Sequence, residues 1–383
     1  MKVSTSKLRV LFLLYFSFIT TIVFSQVDKD FWFSIPYVSK NHAVNYQAGS
    51  QFQLGGGQPI YLRLATLDNP AIVRIQTPAN SAGIDTIINI AANSTATIDL
   101  TPFTAKLEVS QTYSTIMNGP ENKGIHITST DFITAYYENA TIPNPEVFTL
   151  KGTNALGTEF YTPFQTNWPN DPLHNYQKLD LKNSGWQTVT TAMPDSAFSA
   201  FDIVATEDGT VVEITPTADV VGHKKGETFS VVLQKGQTYS VRQLDQAIVD
   251  TVGYYVNKNG VGVFKTVTSK RDIDNLSGSH IVSNNPIAIS VKDDSIFPND
   301  ITESGDCEDY IGDQIVPVNV IGREYVVMKG NLDATKANGS LTDWVFLLGV
   351  KDGTKLTIDG KNAGTINKGQ TLSYQITDPY MHI

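Results

Sequence analysis

The stretch 203–217, IVATEDGTVVEITPT, decides the fold. Apolar and polar residues alternate on both sides of Asp208-Gly209, which is the period of a strand with one buried face. Asp-Gly supplies the positive φ that tight turns between strands require. The stretch therefore reads as strand, hairpin turn, strand. Similar wording returns at 347–359, LLGVKDGTKLTID, and more faintly at 64–76, LATLDNPAIVRIQ. In the faint copy Asn69-Pro70 replaces the glycine, so its turn must differ.

Working outward, the turn belongs to a longer unit. An aromatic strand comes first: DFWFSIPY (30–37), GTEFYTPF (157–164) and GREYVVMK (322–329). After the Asp turn come AANSTATIDL (91–100), LQKGQTYSVR (233–242) and INKGQTLSYQ (366–375), the last two sharing the turn Lys-Gly-Gln-Thr. KGIHITSTDFITAYY (123–137) and SGSHIVSNNPIAISV (277–291) close the unit, and each reads as His-Ile, a polar turn and a buried strand. The third copy reaches PYMHI at 379–383, so it reads as truncated inside its unit. Short alternating runs divided by Gly, Asn, Asp and Pro make the chain all-β. The expected architecture is tandem β-sandwich-like repeats, with a β-propeller-like arrangement as the alternative. The units are read at 26–148, 149–314 and an incomplete 315–383.

Residues 1–25 read as a secretory signal peptide. Lys2, Lys7 and Arg9 precede the apolar run VLFLLYFSFITTIVF, with cleavage expected near Ser25-Gln26. The run is too short for a span, and no other approaches that length, so the mature chain is expected to lack a transmembrane segment. The expected location is secreted or on the outer cell surface. The formal net charge is −10, and losing a leader whose charges are all basic makes the rest more acidic. That argues against nucleic acid as a partner. The single cysteine, Cys307, excludes an internal disulfide. Its acidic neighbours would raise the thiol pKa, a poor setting for a nucleophile.

His126, His280 and His382 recur at one repeat position. They read as strand-end histidines bonded to a turn carbonyl. The stretch 292–314 is dense in carboxylates. Asp293, Asp294, Asp306, Asp309 and Asp313 form the candidate set for Ca²⁺, a cation that takes six to eight oxygens. A solvated linker is the bland alternative, and the spacing is not that of an EF-hand. GVGVF (260–264) lacks a following helix and reads as a hairpin. Trp168, His174 and Tyr176 in NWPNDPLHNY (167–176), with Trp186 beyond, form the candidate binding surface. No nucleophile elbow, zinc-protease helix or phosphate loop is present, and no catalytic residue is assigned.

The strings LKGTNALGTEFYTPF, FDIVATEDGTVVEITPT, KGETFSVVLQKGQTYSVR, LSGSHIVSNNPIAISVKDDS, GDQIVPVNVIGREYVV and KDGTKLTIDG occur in that order. Together they resemble the N-terminal domain of the IgGFc-binding protein family over roughly 150–383. The resemblance implies a non-enzymatic, extracellular, β-rich module. It also suggests a bacterial surface protein of the kind found in Bacteroidetes. The expected function is binding or adhesion, with loops on β-sandwich repeats presented to a protein or glycan partner. The other readings are a secreted carbohydrate-active enzyme on a β scaffold, marked by a carboxylate pair in an aromatic cleft, and a structural spacer.

Overall fold

The computed structural model describes residues 26–38, 59–110, 119–140, 145–164, 186–189, 198–244, 252–256, 262–265, 275–296, 309–330 and 343–383. Of 186–189, 252–256, 262–265, 295–296 and 309 it describes the backbone alone. Trp168, His174, Tyr176 and Asp306 lie outside the described residues, as do the leader and its cleavage point.

The first unit has seven strands: β1 (Asp28–Phe33), β2 (Ile60–Thr66), β3 (Ala71–Gln76), β4 (Asp85–Ile90), β5 (Thr95–Asp99), β6 (Ile125–Asn139) and β7 (Glu146–Leu150). A four-residue helix, Thr104–Leu107, follows β5. The fifteen-residue β6 organises the rest. Its first half pairs with β3 on one side and β1 on the other. Its second half pairs with β2 and β7. β4 extends β3 and β5 extends β2. One strand thus runs through two layers, β4-β3-β6-β1 and β5-β2-β6-β7, which fold over a common core. Phe31, Phe33, Leu62, Leu64, Ile127 and Tyr137 are among the buried residues of that core. Alternation places them: Leu62 and Leu64 point inward while Arg63 between them is exposed.

The second unit repeats the pattern strand for strand. Its elements are β8 (Gly157–Tyr161), β9 (Trp186–Val189), β10 (Ser199–Ala205), β11 (Thr210–Thr215), β12 (Phe229–Leu233), β13 (Thr238–Arg242), β14 (Val252–Val256), β15 (Gly262–Lys265), β16 (His280–Ile296) and β17 (Asp309–Gln314). β16 plays the part of β6, flanked by β11 and β8 along its first half and by β10 and β17 along its second. β9, β14 and β15 form a separate three-stranded sheet, in which β14 and β15 pair antiparallel as the glycine-rich run suggested. The third unit has β18 (Val326–Met328), β19 (Trp344–Leu348), β20 (Thr354–Ile358), β21 (Lys361–Ile366), β22 (Thr371–Gln375) and β23 (Tyr380–His382). β18 pairs with β23, β19 with β22 and β20 with β21. These are the counterparts of β1–β6, β2–β5 and β3–β4. The described chain is all-β apart from short helical turns, in two curled sheets of seven strands and a partial third.

Two expectations change. The Asp208-Gly209 turn does not join a hairpin, because β10 and β11 do not pair with each other. Both pair antiparallel with β16, one after the other along the same edge. The turn is a jog in a broken edge strand as it crosses from one layer to the next. Alternation reports a buried face and is silent about the partner, so it could not separate the two cases. Gly209 and Gly353 do sit at φ +69° and +68°. The two-residue hairpin lies elsewhere, at Asp359-Gly360, where both residues have positive φ and Ile358 faces Lys361. The second change concerns 123–137 and 277–291. Each holds one unbroken strand where a polar turn between His-Ile and a buried strand was expected. Ser129-Thr130-Asp131 mark the place where β6 exchanges partners.

Candidate functional site

The repeated wording is explained by contacts between turns. In the second unit Asp208 Oδ1 accepts from the Lys235 backbone N–H at 2.9 Å, and Gln234 Oε1 accepts from the Gly209 N–H at 3.3 Å. In the third, Asp352 Oδ1 accepts from Lys368 N–H at 3.1 Å and Asn367 Oδ1 from Gly353 N–H at 2.9 Å. Asp-Gly-Thr and Lys-Gly-Gln-Thr latch each other. The latched turn then docks on the preceding unit. Gly124 N–H donates to the Gly236 carbonyl at 3.0 Å, and Glu121 and Thr238 exchange backbone bonds of 2.8 and 2.7 Å. One unit further on, a Cβ on Gly278 would lie 2.1 Å from the Gly369 carbonyl oxygen. Ser277 and Thr371 hydroxyls there bond at 2.7 Å.

His126 and His280 sit two residues beyond Gly124 and Gly278. His126 stacks on Trp32 at 3.9 Å, with Nε2 3.2 Å from Asp30 Oδ2. Gln76 donates its amide to Nδ1 at 3.1 Å, so Nε2 carries the proton aimed at Asp30. His280 stacks on Tyr161 at 4.5 Å with Nε2 3.0 Å from Glu159. His382 Nε2 lies 2.8 Å from Glu324. The partner in all three units is a carboxylate, on β1, on β8 and two residues before β18, not the turn carbonyl expected. The acid precedes the residue opposite the histidine by two places, so both project from the same face.

The second unit's outer face, away from its own core, is covered by the first unit. Asp202, Ser240, Arg242, Ser290, Lys292 and Asp294 lie there, all buried except Ser240, which is half-buried. Lys292 Nζ is 2.7 Å from Asp294 Oδ1 and 3.2 Å above the Phe198 ring. The Arg242 guanidinium lies 3.9 Å over the same ring, and Tyr37 of the first unit stacks on it at 6.3 Å. Ser290 donates to the Ser34 carbonyl at 2.9 Å. Burial pushes Asp202 up to about 7, against a hydrogen bond from Ser240. It pushes Glu108 of the first unit well above the carboxylate range and lowers Lys292. Tyr310 of β17 sits in the first unit's core, 6.1 Å from Phe148.

Of the proposed calcium ligands, Asp293 is buried, bonded to Ser199, and raised by burial to about 7. Asp294 binds Lys292 and accepts from the Phe198 N–H at 3.2 Å. Asp313 holds Lys151 Nζ at 2.6 Å and the Thr149 N–H at 2.9 Å. Asp309 is described by its backbone in β17. Among the described residues no three His, Cys, Asp or Glu side chains gather in a metal-holding group. Trp186 opens β9, and the other members of the proposed binding surface are outside the described residues.

Asp202, Arg242, Lys292 and Glu108 drew no notice in the sequence. The available signal was a charged residue at the outward position of an otherwise apolar strand, as in AFDIVA and ISVKD. That signal ordinarily marks a solvated face.

No curated protein matches the chain. A solved Bacteroides uniformis beta-glucuronidase aligns over 86% of this chain and 28% of its own, at 10% identity and a TM-score of 0.13. The chain thus spans little more than a quarter of that protein, and the likeness carries no structural weight. The family model described as IgGFc binding protein matches residues 146–383, from β7 through the second and third units. The chain belongs to the IgGFc-binding protein family.

Proposed function

We propose that the chain is an exported, non-enzymatic binding protein that works in adhesion by holding loops on rigidly coupled β units toward a protein or glycan partner. The seam is the observation that supports this most. Asp202, Lys292 and Asp294 are buried between the first two units, where Lys292 is held by Asp294 and Asp202 accepts from Ser240. Groups arranged this way stiffen a scaffold; a catalytic carboxylate must instead reach a substrate. Family membership adds that the chain is a binding protein. The contact surface we assign is Trp168, His174, Tyr176 and Trp186.

The test is binding of residues 26–383 to an array of glycans, mucins and immunoglobulin Fc, with and without calcium, alongside Trp168→Ala. Saturable binding to one class, weakened about tenfold or more by the variant, is the expected outcome. Binding to nothing on the array would sink the adhesion reading. Binding unchanged by the variant would remove the aromatic surface from it. Loss on calcium removal would return attention to 292–314.

A further inference from the structure

Lys292 and Asp294 stand two residues apart on β16, so their side chains leave the same face. That face is the seam, where they are 1% and 0% exposed. Lys292 Nζ lies 2.7 Å from Asp294 Oδ1 and 3.2 Å above the Phe198 ring. Asp294 Oδ2 accepts from the Phe198 N–H at 3.2 Å. A second carboxyl group shares the face. Asp202 on β10 lies opposite Ser290 and therefore diagonal to Lys292. Its Oδ1 accepts from Ser240, while its Oδ2 is buried with no partner among the described residues. An amine, a carboxyl group and a second carboxyl group enclosed beside an aromatic ring are the parts that amide formation needs. In water such a pair stays ionic, because the ammonium has no free lone pair and the carboxylate is a poor electrophile. The seam alters both conditions. Burial lowers Lys292, which favours its uncharged amine, and pushes Asp202 up to about 7, which keeps a proton on it.

We infer that the folded chain joins Lys292 to Asp294 by an amide bond between their side chains, with Asp202 as the proton carrier. The ammonium first passes a proton to Asp294 Oδ1, the atom it already touches. The free Nζ lone pair then attacks Cγ, and the charge developing on Oδ2 is met by the Phe198 N–H. Asp202 gives its proton to the departing Oδ1 hydroxyl and takes one back from Nζ, so it ends as it began. One C–N bond forms, the Cγ–Oδ1 bond breaks and one water leaves. No oxidant or energy source is needed: the fold holds the two groups in contact and keeps water out. The product replaces two buried charges, costly to hold away from water, by one neutral amide. It also closes a ring within β16 where the first unit docks. This inference does not depend on what the molecule binds.

The test is the intact mass of residues 26–383 after unfolding in denaturant, followed by trypsin digestion. The chain should be lighter than its sequence by one water. Trypsin should fail to cut after Lys292, because an acylated lysine is not a substrate, and fragmentation should place the missing water on the pair Lys292 and Asp294. Asp202→Asn, which keeps the shape of the side chain but cannot carry the proton, should leave most of the chain at full mass. Its fold is checked by hydrogen exchange of β10 and β16, and the wild-type mass decides the matter whether or not the variant folds. Full mass in the wild type, cleavage after Lys292, or a water loss mapped elsewhere overturns the inference, and the pair is then an ion pair only. A water loss reversed by mild alkali also overturns it, because that marks a succinimide at an aspartate. A loss undiminished in folded Asp202→Asn overturns the part given to Asp202.

Discussion

Gly124 is small for a different reason from Gly209, and Gly278, at φ +82° and against Gly369, is small for both reasons. Gly209 has a positive φ and open space around it, whereas a Cβ on Gly124 would lie 2.6 Å from the Gly236 carbonyl oxygen. The first is a conformational need and the second a contact need. Asn93 makes the distinction visible. It holds the turn position of Gly236 and Gly369 at φ +51°, in the unit whose turn docks on no earlier one. A side chain that tolerates the left-handed region suffices there. Gly278→Ala should therefore cost about 1–3 kcal/mol by overpacking against backbone, with about 1 kcal/mol of left-handed strain added. Limited proteolysis should find the junction between the second and third units, with the second unit's own exchange protection retained. Gly209→Ala should cost about 1 kcal/mol through strain alone, measured as a shift in urea midpoint without new cleavage sites. The histidine positions were readable as a repeat in the sequence. Their acids were not, because Asp30, Glu159 and Glu324 lie 96, 121 and 58 residues away and become neighbours only through pairing.

Among the elements, the long strands carry the architecture. β6 and β16 each serve both layers, and the broken edge strands β2/β3 and β10/β11 follow them. Strand content and turn positions were legible because alternation and Asp-Gly chemistry are local. Pairing was not, since a strand's partner is fixed by the third dimension and two successive strands along one edge carry the same pattern as a hairpin. The latch is equally non-local: Asp208 and Lys235 are 27 residues apart. Asp208→Ala and Asp352→Ala should each lower stability by about 1 kcal/mol, the worth of one ordinary hydrogen bond in a solvent-exposed turn. The reading is the thermal midpoint, and Asp→Asn should recover most of it because the amide oxygen still accepts. Equal loss in Asp→Asn would mean that charge, not acceptance, is what the turn uses.

For the whole molecule the decisive feature is the seam. Asp202 in the seam, and Asp293 on the opposite face of β16, are pushed by burial from 3.8 up to about 7 when folded. From about pH 4 to about pH 7 the folded chain keeps protons that the unfolded chain releases, so stability falls as pH rises through that window and levels above it. Each group contributes a slope of up to about 1.4 kcal/mol per pH unit. The surface carboxylates Asp85, Asp131, Asp219 and Glu227 are held below their ordinary values by their partners, and so lose stability only under about pH 4. Chemical denaturation should show greater stability at pH 5 than at pH 8, with Asp202→Asn and Asp293→Asn each flattening the slope. A stability that rises from pH 5 to pH 8 would contradict the buried, protonated state. The sequence placed Asp293 and Asp294 in a metal set because carboxylate density looks the same whether it faces water or a neighbouring unit. Asp294 lies in the seam beside Lys292, whereas Asp293 points to the other side of β16 and is buried against Ser199 of the second unit itself.

The shared long strand also bears on force. A sandwich of two independent sheets can be sheared apart along its core, and extracellular domains often resist this with a cystine between the sheets. Here a single main chain crosses from one layer to the other in β6 and again in β16. Separating the layers would mean peeling a strand out of four partners while its covalent backbone still ties both sides. A chain with one cysteine thus has a built-in tether against tension, and pulling at its ends should load the docked turns between units before it loads the layers within them.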